Sequence, residues 1–177
     1  MPIQKLRKTC SIAALLVGAI GGPMLAEEGP TDAQIVGIVI AANDIDIAYG
    51  KMALEKSKNK SVREYAQRMT AEHTAVQASV TALAAKLGVQ AEESPTSDSL
   101  KKGAAAVMTE LKALKGKAFD KFYVDTEAGY HKAVTDAVAT VLIPSARNLE
   151  LKTALQSAQP LFLKHLEHVR MIQAAQK

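Results

Sequence analysis

From Val62 onward, Ala66, Met69, His73, Val76, Val80, Leu83 and Leu87 recur at alternating steps of four and three. That spacing draws one apolar stripe down the side of a long helix, the pattern of a helix packed in a bundle. Ser61 with Glu64 three residues later predicts a capping box at its start, and Gly88 directly after Leu87 predicts its stop. One member of the stripe does not suit an apolar core. His73 stands where a Leu or Val is expected, with Glu72 beside it. The rest of the chain has to accommodate this helix and account for that histidine.

The N-terminus reads as an export signal rather than as part of the fold. Lys5, Arg7 and Lys8 precede a short apolar run, Ile12 to Ile20, and Gly21-Gly22-Pro23 breaks it before the acidic Glu27-Glu28. This is the layout of a secretory signal peptide, with cleavage expected after Ala26. The domain division is then 1–26 signal peptide and 27–177 one helical domain, in a periplasmic location. The run is too short to span a bilayer as a mature helix, and no other segment is expected to come close. The leader holds three of the 22 basic residues and none of the 18 acidic ones, so the mature chain keeps 19 against 18, a net charge of +1. Without a basic run or aromatic-basic interleaving, nucleic acid is not an expected partner. A homo-oligomer or another periplasmic protein fits better.

The only cysteine, Cys10, lies in the leader ahead of the apolar run, which does not suit a lipidated cysteine. The mature chain therefore has no disulfide, no thiolate ligand and no nucleophilic thiol. There is no Gly-x-Ser-x-Gly motif, no phosphate-cradling loop and no Cys-x-x-Cys-His haem site.

Four further helices are predicted. Thr31 and Gln34 form a capping-box pattern after Pro30, and Ile35, Ile38, Ala42, Ile45, Tyr49 and Met52 step by three and four to about Ser57, with Asn43, Asp46 and Gly50 on the shoulder of the stripe. After the second helix, Gln90 to Asp98 is polar and turn-rich and reads as a loop, and a shorter helix follows from about Ser99 to Leu114. Ala118 to about Leu142 is the fourth, with Glu127 and His131 four apart on one face and Pro144 as its end. Ser145 is expected to cap the last, about Ala146 to Ala175, with a kink or short break near Pro160. No segment has strand periodicity. Four long helices, each about 38 Å, plus one short helix give an all-α four-helix bundle.

His73, His131 and His165 fall on or beside apolar stripes of three different long helices. Bundle interiors can hold metal sites built from facing helices, and imidazole is the commonest ligand. The candidate ligands are therefore His73, His131 and His165, with Asp46, Glu72 and Glu127 as ligands or orienting groups, around a single divalent metal ion. The alternative is a buried hydrogen-bond network that fixes helix register without metal. Ring separations beyond about 10 Å would favour the network, because ligands must reach about 2 Å from the ion. Met69, four residues before His73, suits core filling better than copper binding. His168, three after His165, is expected at the edge of the stripe or in solvent.

Several anchors in order resemble one known family. Ala42-Asn43-x-x-Asp46, Tyr65-Ala66-x-x-Met69-x-x-Glu72-His73-Thr74, Phe119-Asp120-x-x-Tyr123 with Tyr130-His131, and Pro160-x-x-x-x-His165-Leu166 resemble the domain of unknown function 4142 family across nearly all of residues 31–175. The family's pattern carries Glu where this chain has Asp46 and Asp where it has Glu72, both swaps keeping the charge. The resemblance implies a ferritin-like bundle in an exported bacterial protein and says little about activity. Di-iron chemistry needs a Glu-x-x-His pair on each of two helices, and no glutamate here has a histidine three residues later. The expectation is a non-enzymatic binding or stress-related protein. A metal-dependent oxidoreductase stands third, since it needs an open coordination position and a pocket.

Overall fold

The structure is a computed structural model and describes residues 29–176. The signal-peptide reading of residues 1–26 lies outside the described residues. Six α-helices follow in order: α1 (Asp32–Lys56), α2 (Lys60–Leu87), α3 (Pro95–Ala113), α4 (Gly116–Ala137), α5 (Ile143–Ser145) and α6 (Leu149–Ala175), with a π-helical turn, Val138–Leu142, joining α4 to α5. No strand occurs among the described residues, and the protein is an all-α helical bundle.

Local sequence explains most helix ends. Thr31 and Gln34 form the expected capping box, through Gln34 N–H to Thr31 Oγ1 at 3.2 Å and Thr31 N–H to Gln34 Oε1 at 3.1 Å. Gly88 closes α2 in the left-handed conformation, φ 67°. The start of α2 differs from expectation. Asn59 is its cap, its Oδ1 accepting from Ser61 N–H at 3.0 Å and Val62 N–H at 3.3 Å, while Glu64 pairs with Lys60 at 3.8 Å. Asparagine caps as well as serine, and the turn from α1 brings Asn59 to the helix end first.

Three other boundaries move. α3 starts at Pro95, four residues early, because Ser94 and Ser97 make a reciprocal cap and proline suits the first helical position. Pro144 does not stop the fourth helix at Leu142; it sits in the first turn of α5, which follows the π-helical turn. α6 is capped by Asn148, not Ser145, and runs unbroken through Pro160. Pro160 is solvent-exposed, so its ring faces away from the core and no break is needed to pack it.

The four long helices form a closed ring. α1 packs along α2 and α4, and α6 packs along α4 and α2. Contacts at the ends give the directions. Ser57 at the end of α1 donates to Asp120 at the start of α4 (2.5 Å), and Asp32 at the start of α1 accepts the backbone N–H groups of Arg147 and Asn148 beyond α4 (2.9 Å each). These two helices are antiparallel. Lys86 meets Glu150 at one end of α2, and the Tyr65 and His168 rings meet at the other, 5.4 Å apart, so α2 and α6 are antiparallel as well. α2 and α4 then run the same way, and the chain must return the length of the bundle between them. α3 makes that return, lying over α1 and α4. One such crossover is the topology of ferritin-like bundles.

Two apolar clusters fill the interior. One, around Tyr49, Tyr65, Met69, Phe119, Tyr123 and Val169, lies towards the α1–α2 turn. The other, around Ile35, Ala84, Val138, Leu142, Leu151 and Phe162, lies towards the opposite end. Met69 belongs to the first as core filling. The polar side chains sit between the two. α1 itself reaches a mean hydropathy of 1.2 over its best window and is long enough to cross a membrane, closer to a span than the sequence reading expected; 56% of that window is buried in the bundle.

Candidate metal centre

Each long helix delivers one part of a buried polar layer. α1 supplies Asn43 and Asp46, α2 supplies Tyr65, Glu72 and His73, α4 supplies Glu127 and His131, and α6 supplies His165. The spacing within each helix sets the grouping. Asn43 and Asp46 are three apart and Glu127 and His131 four apart, so each pair shares a face. The histidine, Asp46, Asn43 and Glu127 side chains are all at most about 3% exposed, and Glu72 alone reaches solvent.

The three histidines come together. Ring centroids are 5.6 Å apart for His73–His131, 5.1 Å for His73–His165 and 5.4 Å for His131–His165. One ligand atom from each lies within 4.8 Å of the other two. The separations are well inside the distance at which a metal reading would fail. Phe162 stacks on His73 at 5.8 Å, closing the site from the far cluster.

Each ring is held by one nitrogen. His73 Nδ1 is 2.8 Å from Asn43 Oδ1, His131 Nδ1 is 3.2 Å from the Glu127 carbonyl oxygen, and His165 Nε2 bonds Glu72 Oε2. An oxygen acceptor fixes the proton on the nitrogen it faces, so the opposite nitrogen keeps its lone pair. Those opposite nitrogens, His73 Nε2, His131 Nε2 and His165 Nδ1, are buried and make no hydrogen bond within the protein. Asp46 Oδ1 and Glu127 Oε1 are in the same condition.

Asp46 lies beside two of the rings, Oδ1 at 3.9 Å from His131 Nε2 and Oδ2 at 3.6 Å from His73 Nδ1. Asp46, Glu127 and His131 form a second group of potential ligand atoms within 4.8 Å of one another. Glu127 Oε2 is 3.3 Å from His131 Nδ1 and accepts from the Tyr65 hydroxyl at 3.4 Å. Glu72 stands outside the ring triangle, holding His165 from the surface side. Of the six residues selected from sequence, four line the centre directly, Glu72 orients one of them, and Glu127 lies behind His131. Sequence reasoning passed over Asn43 as an orienting group, although its position three residues before Asp46 was a signal, and did not single out Tyr65.

Charge is distributed unevenly. Burial, reinforced by the neighbouring imidazoles, lowers the His73 pKa to about 3. Burial likewise lowers His165 to about 4, against the opposing pull of Glu72. For His131 burial is outweighed by the Asp46 carboxylate and by Glu127, and its pKa is pushed up to about 9. Burial raises Asp46 well above the usual carboxylate range, with His131 pulling it down and Glu127 pushing it further up. Two rings are thus neutral ligand donors at neutral pH, and the third shares protons with the carboxylates.

A family model described as Domain of unknown function (DUF4142) matches residues 21–172, nearly the whole chain. No curated protein and no solved structure matches it.

Proposed function

The chain belongs to the domain of unknown function 4142 family, and we propose that its bundle holds one divalent metal ion on His73, His131 and His165. Asp46 is the fourth donor, and Asn43, Glu127 and Glu72 orient the rings. The observation that carries this reading is the set of three buried ring nitrogens without a partner, each opposite a nitrogen already held by an oxygen. A buried polar nitrogen left without a partner is costly, of the order of 1–3 kcal/mol each. His73 and His165 offer lone pairs and His131 offers one once it gives up its proton, and a cation compensates all three. Charge points the same way. Asp46 and Glu127 are fully enclosed, and a dication neutralises both once His131 is deprotonated. Three imidazoles and a carboxylate suit zinc, or copper or nickel, rather than the carboxylate-rich di-iron set.

The role is binding rather than catalysis, in an exported protein, as the leader suggests. The test is elemental analysis of tag-free mature protein beside His73→Ala, with melting temperature followed against added Zn2+, Ni2+ and Cu2+. Stoichiometric metal in the parent, lost in the variant, supports the reading. A parent without metal and without a metal-dependent melting shift defeats it.

The rival reading, a register-fixing network, is favoured by one observation: the partners of His73 and His165 come from other helices, α1 and α2. It predicts that His73→Ala lowers the melting temperature equally with and without metal.

A further inference from the structure

Resting on the metal reading of the cluster, we propose that Glu72 is where the cation first binds and the route by which it reaches the imidazoles. The ion cannot arrive at the ligands directly. Side-chain exposure is 3% for His73, 1% for His131 and His165, 2% for Asp46 and 0% for Glu127. Glu72 is 39% exposed and bonds His165 with the same carboxylate. It is the one charged side chain of the layer that touches both water and a ligand. A carboxylate at this position can replace water on an incoming ion before the inner nitrogens do. When the ion has passed, Glu72 returns to the His165 Nε2–H and keeps Nδ1 turned inward.

The roomier opening elsewhere is the groove of about 680 Å³ beneath α3, lined by Tyr49, Leu100, Val107 and Tyr130. It is the wrong chemistry for this traffic. Its lining is mostly carbon, with the hydroxyl-bearing Thr96, Ser99 and Thr126 but no carboxylate or imidazole, so a dication there sheds water with no charged group to take its place, at a large cost. Arg68, one turn before Glu72 on α2, places a positive charge that is felt at His165. Exposed on the same helix face, it opposes the approach of a cation to Glu72.

The experiment is stopped-flow uptake and chelator-driven release of Co2+ by the demetallated mature protein, read by ligand-field absorption, beside equilibrium titration. Glu72→Gln keeps an oxygen for the His165 N–H and removes only the charge. Uptake and release are both expected to slow by about tenfold or more, with the salt dependence of uptake flattened and Kd little changed. Arg68→Ala is expected to speed uptake. Gly103→Phe, which fills the α3 groove from a position where an added Cβ meets open space, is expected to leave both rates unchanged.

Slowing by Gly103→Phe with no effect of Glu72→Gln overturns the proposal in favour of the groove. Weaker Kd at unchanged uptake rate in Glu72→Gln overturns it in favour of a purely orienting role. A parent that takes up no Co2+ defeats the metal reading and the route together. A loaded parent whose variants keep its rates defeats the route alone.

Discussion

Asn43 decides which nitrogen of His73 is free. Its Oδ1 holds Nδ1 at 2.8 Å, and its own amide is tied down by the Val39 carbonyl at 2.8 Å, so it has one orientation to offer. Asn43→Ala is expected to weaken metal binding by about 10–100-fold, the usual effect of losing an outer partner of a ligating histidine, checked by competition titration with a chromophoric chelator. The ring charges give a pH prediction for the metal-free protein. His73 and His165 have folded pKa values of about 3 and 4, below the ordinary 6.5. The unfolded chain therefore binds their protons first, and the stability they contribute is lost as pH falls from about 6.5 towards 3. His131, raised to about 9, contributes stability that is present below 6.5 and lost as pH rises through 9. Melting temperature in metal-free buffer is expected to fall on both sides of about pH 6.5, and His131→Gln to remove the alkaline limb. Metal affinity should rise with pH up to about 9, because His131 must release its proton to bind. Reading the sequence found His73, His131, His165 and Asp46 because each interrupts or flanks an apolar stripe. Asn43 was visible on the same shoulder, three residues before Asp46, which signals a shared face but not a role. Its importance is a distance to another helix, which spacing along one helix does not encode.

At the scale of elements, the helices themselves were legible and their ends less so. Ser61-x-x-Glu64 and Asn59 offer competing caps within three residues, and only the path of the chain out of α1 selects between them. Asn59→Ala is expected to cost about 1 kcal/mol and Ser61→Ala a few tenths, by denaturant unfolding. The π-helical turn after α4 follows from where the core positions fall. His131, Thr135, Val138, Leu142 and Ala146 are all buried, with steps of four predominating. An α-helix of 3.6 residues per turn drifts off such a face, and one wider turn corrects the drift. The periodicity of α4 alone gave no reason to place it. Pro160 was expected to kink or briefly break α6 on the strength of its ring and missing donor; no break occurs, and the exposed ring lets the helix continue. Pro160→Ala is expected to stabilise by about 1–2 kcal/mol, the gain of a backbone hydrogen bond less the stiffness proline gives the unfolded chain.

For the whole molecule, the crossover is the feature that sequence left least defined. α3 was read as an extra short helix, with no indication of what it lay against. It is held where the α2–α3 connection meets α1, by Glu92 N–H to Ala33 O at 3.0 Å, and Gly37 leaves the room. A Cβ there would fall 2.1 Å from the Glu92 carbonyl oxygen. Gly37→Ala is expected to destabilise by about 1–3 kcal/mol through forced displacement of that connection, and hydrogen exchange should report the loss in α3 first. At its other end Lys56 Nζ reaches the carbonyl oxygens of Leu111 and Lys112, both at 2.6 Å, closing a helix whose last carbonyls would otherwise face water.

The polar layer draws its members from residue 43 to residue 165, and no two neighbouring helices hold it all. It is therefore complete only when all four long helices have docked. The hairpin of α1 and α2 brings Asn43, Asp46 and His73 together early, but the triangle of rings exists only once α4 and α6 have docked. A nascent or extended chain presents scattered single histidines that compete poorly for any ion. On the proposed metal reading, the ion is therefore bound only after the last helix has closed, from whatever pool then surrounds the folded chain.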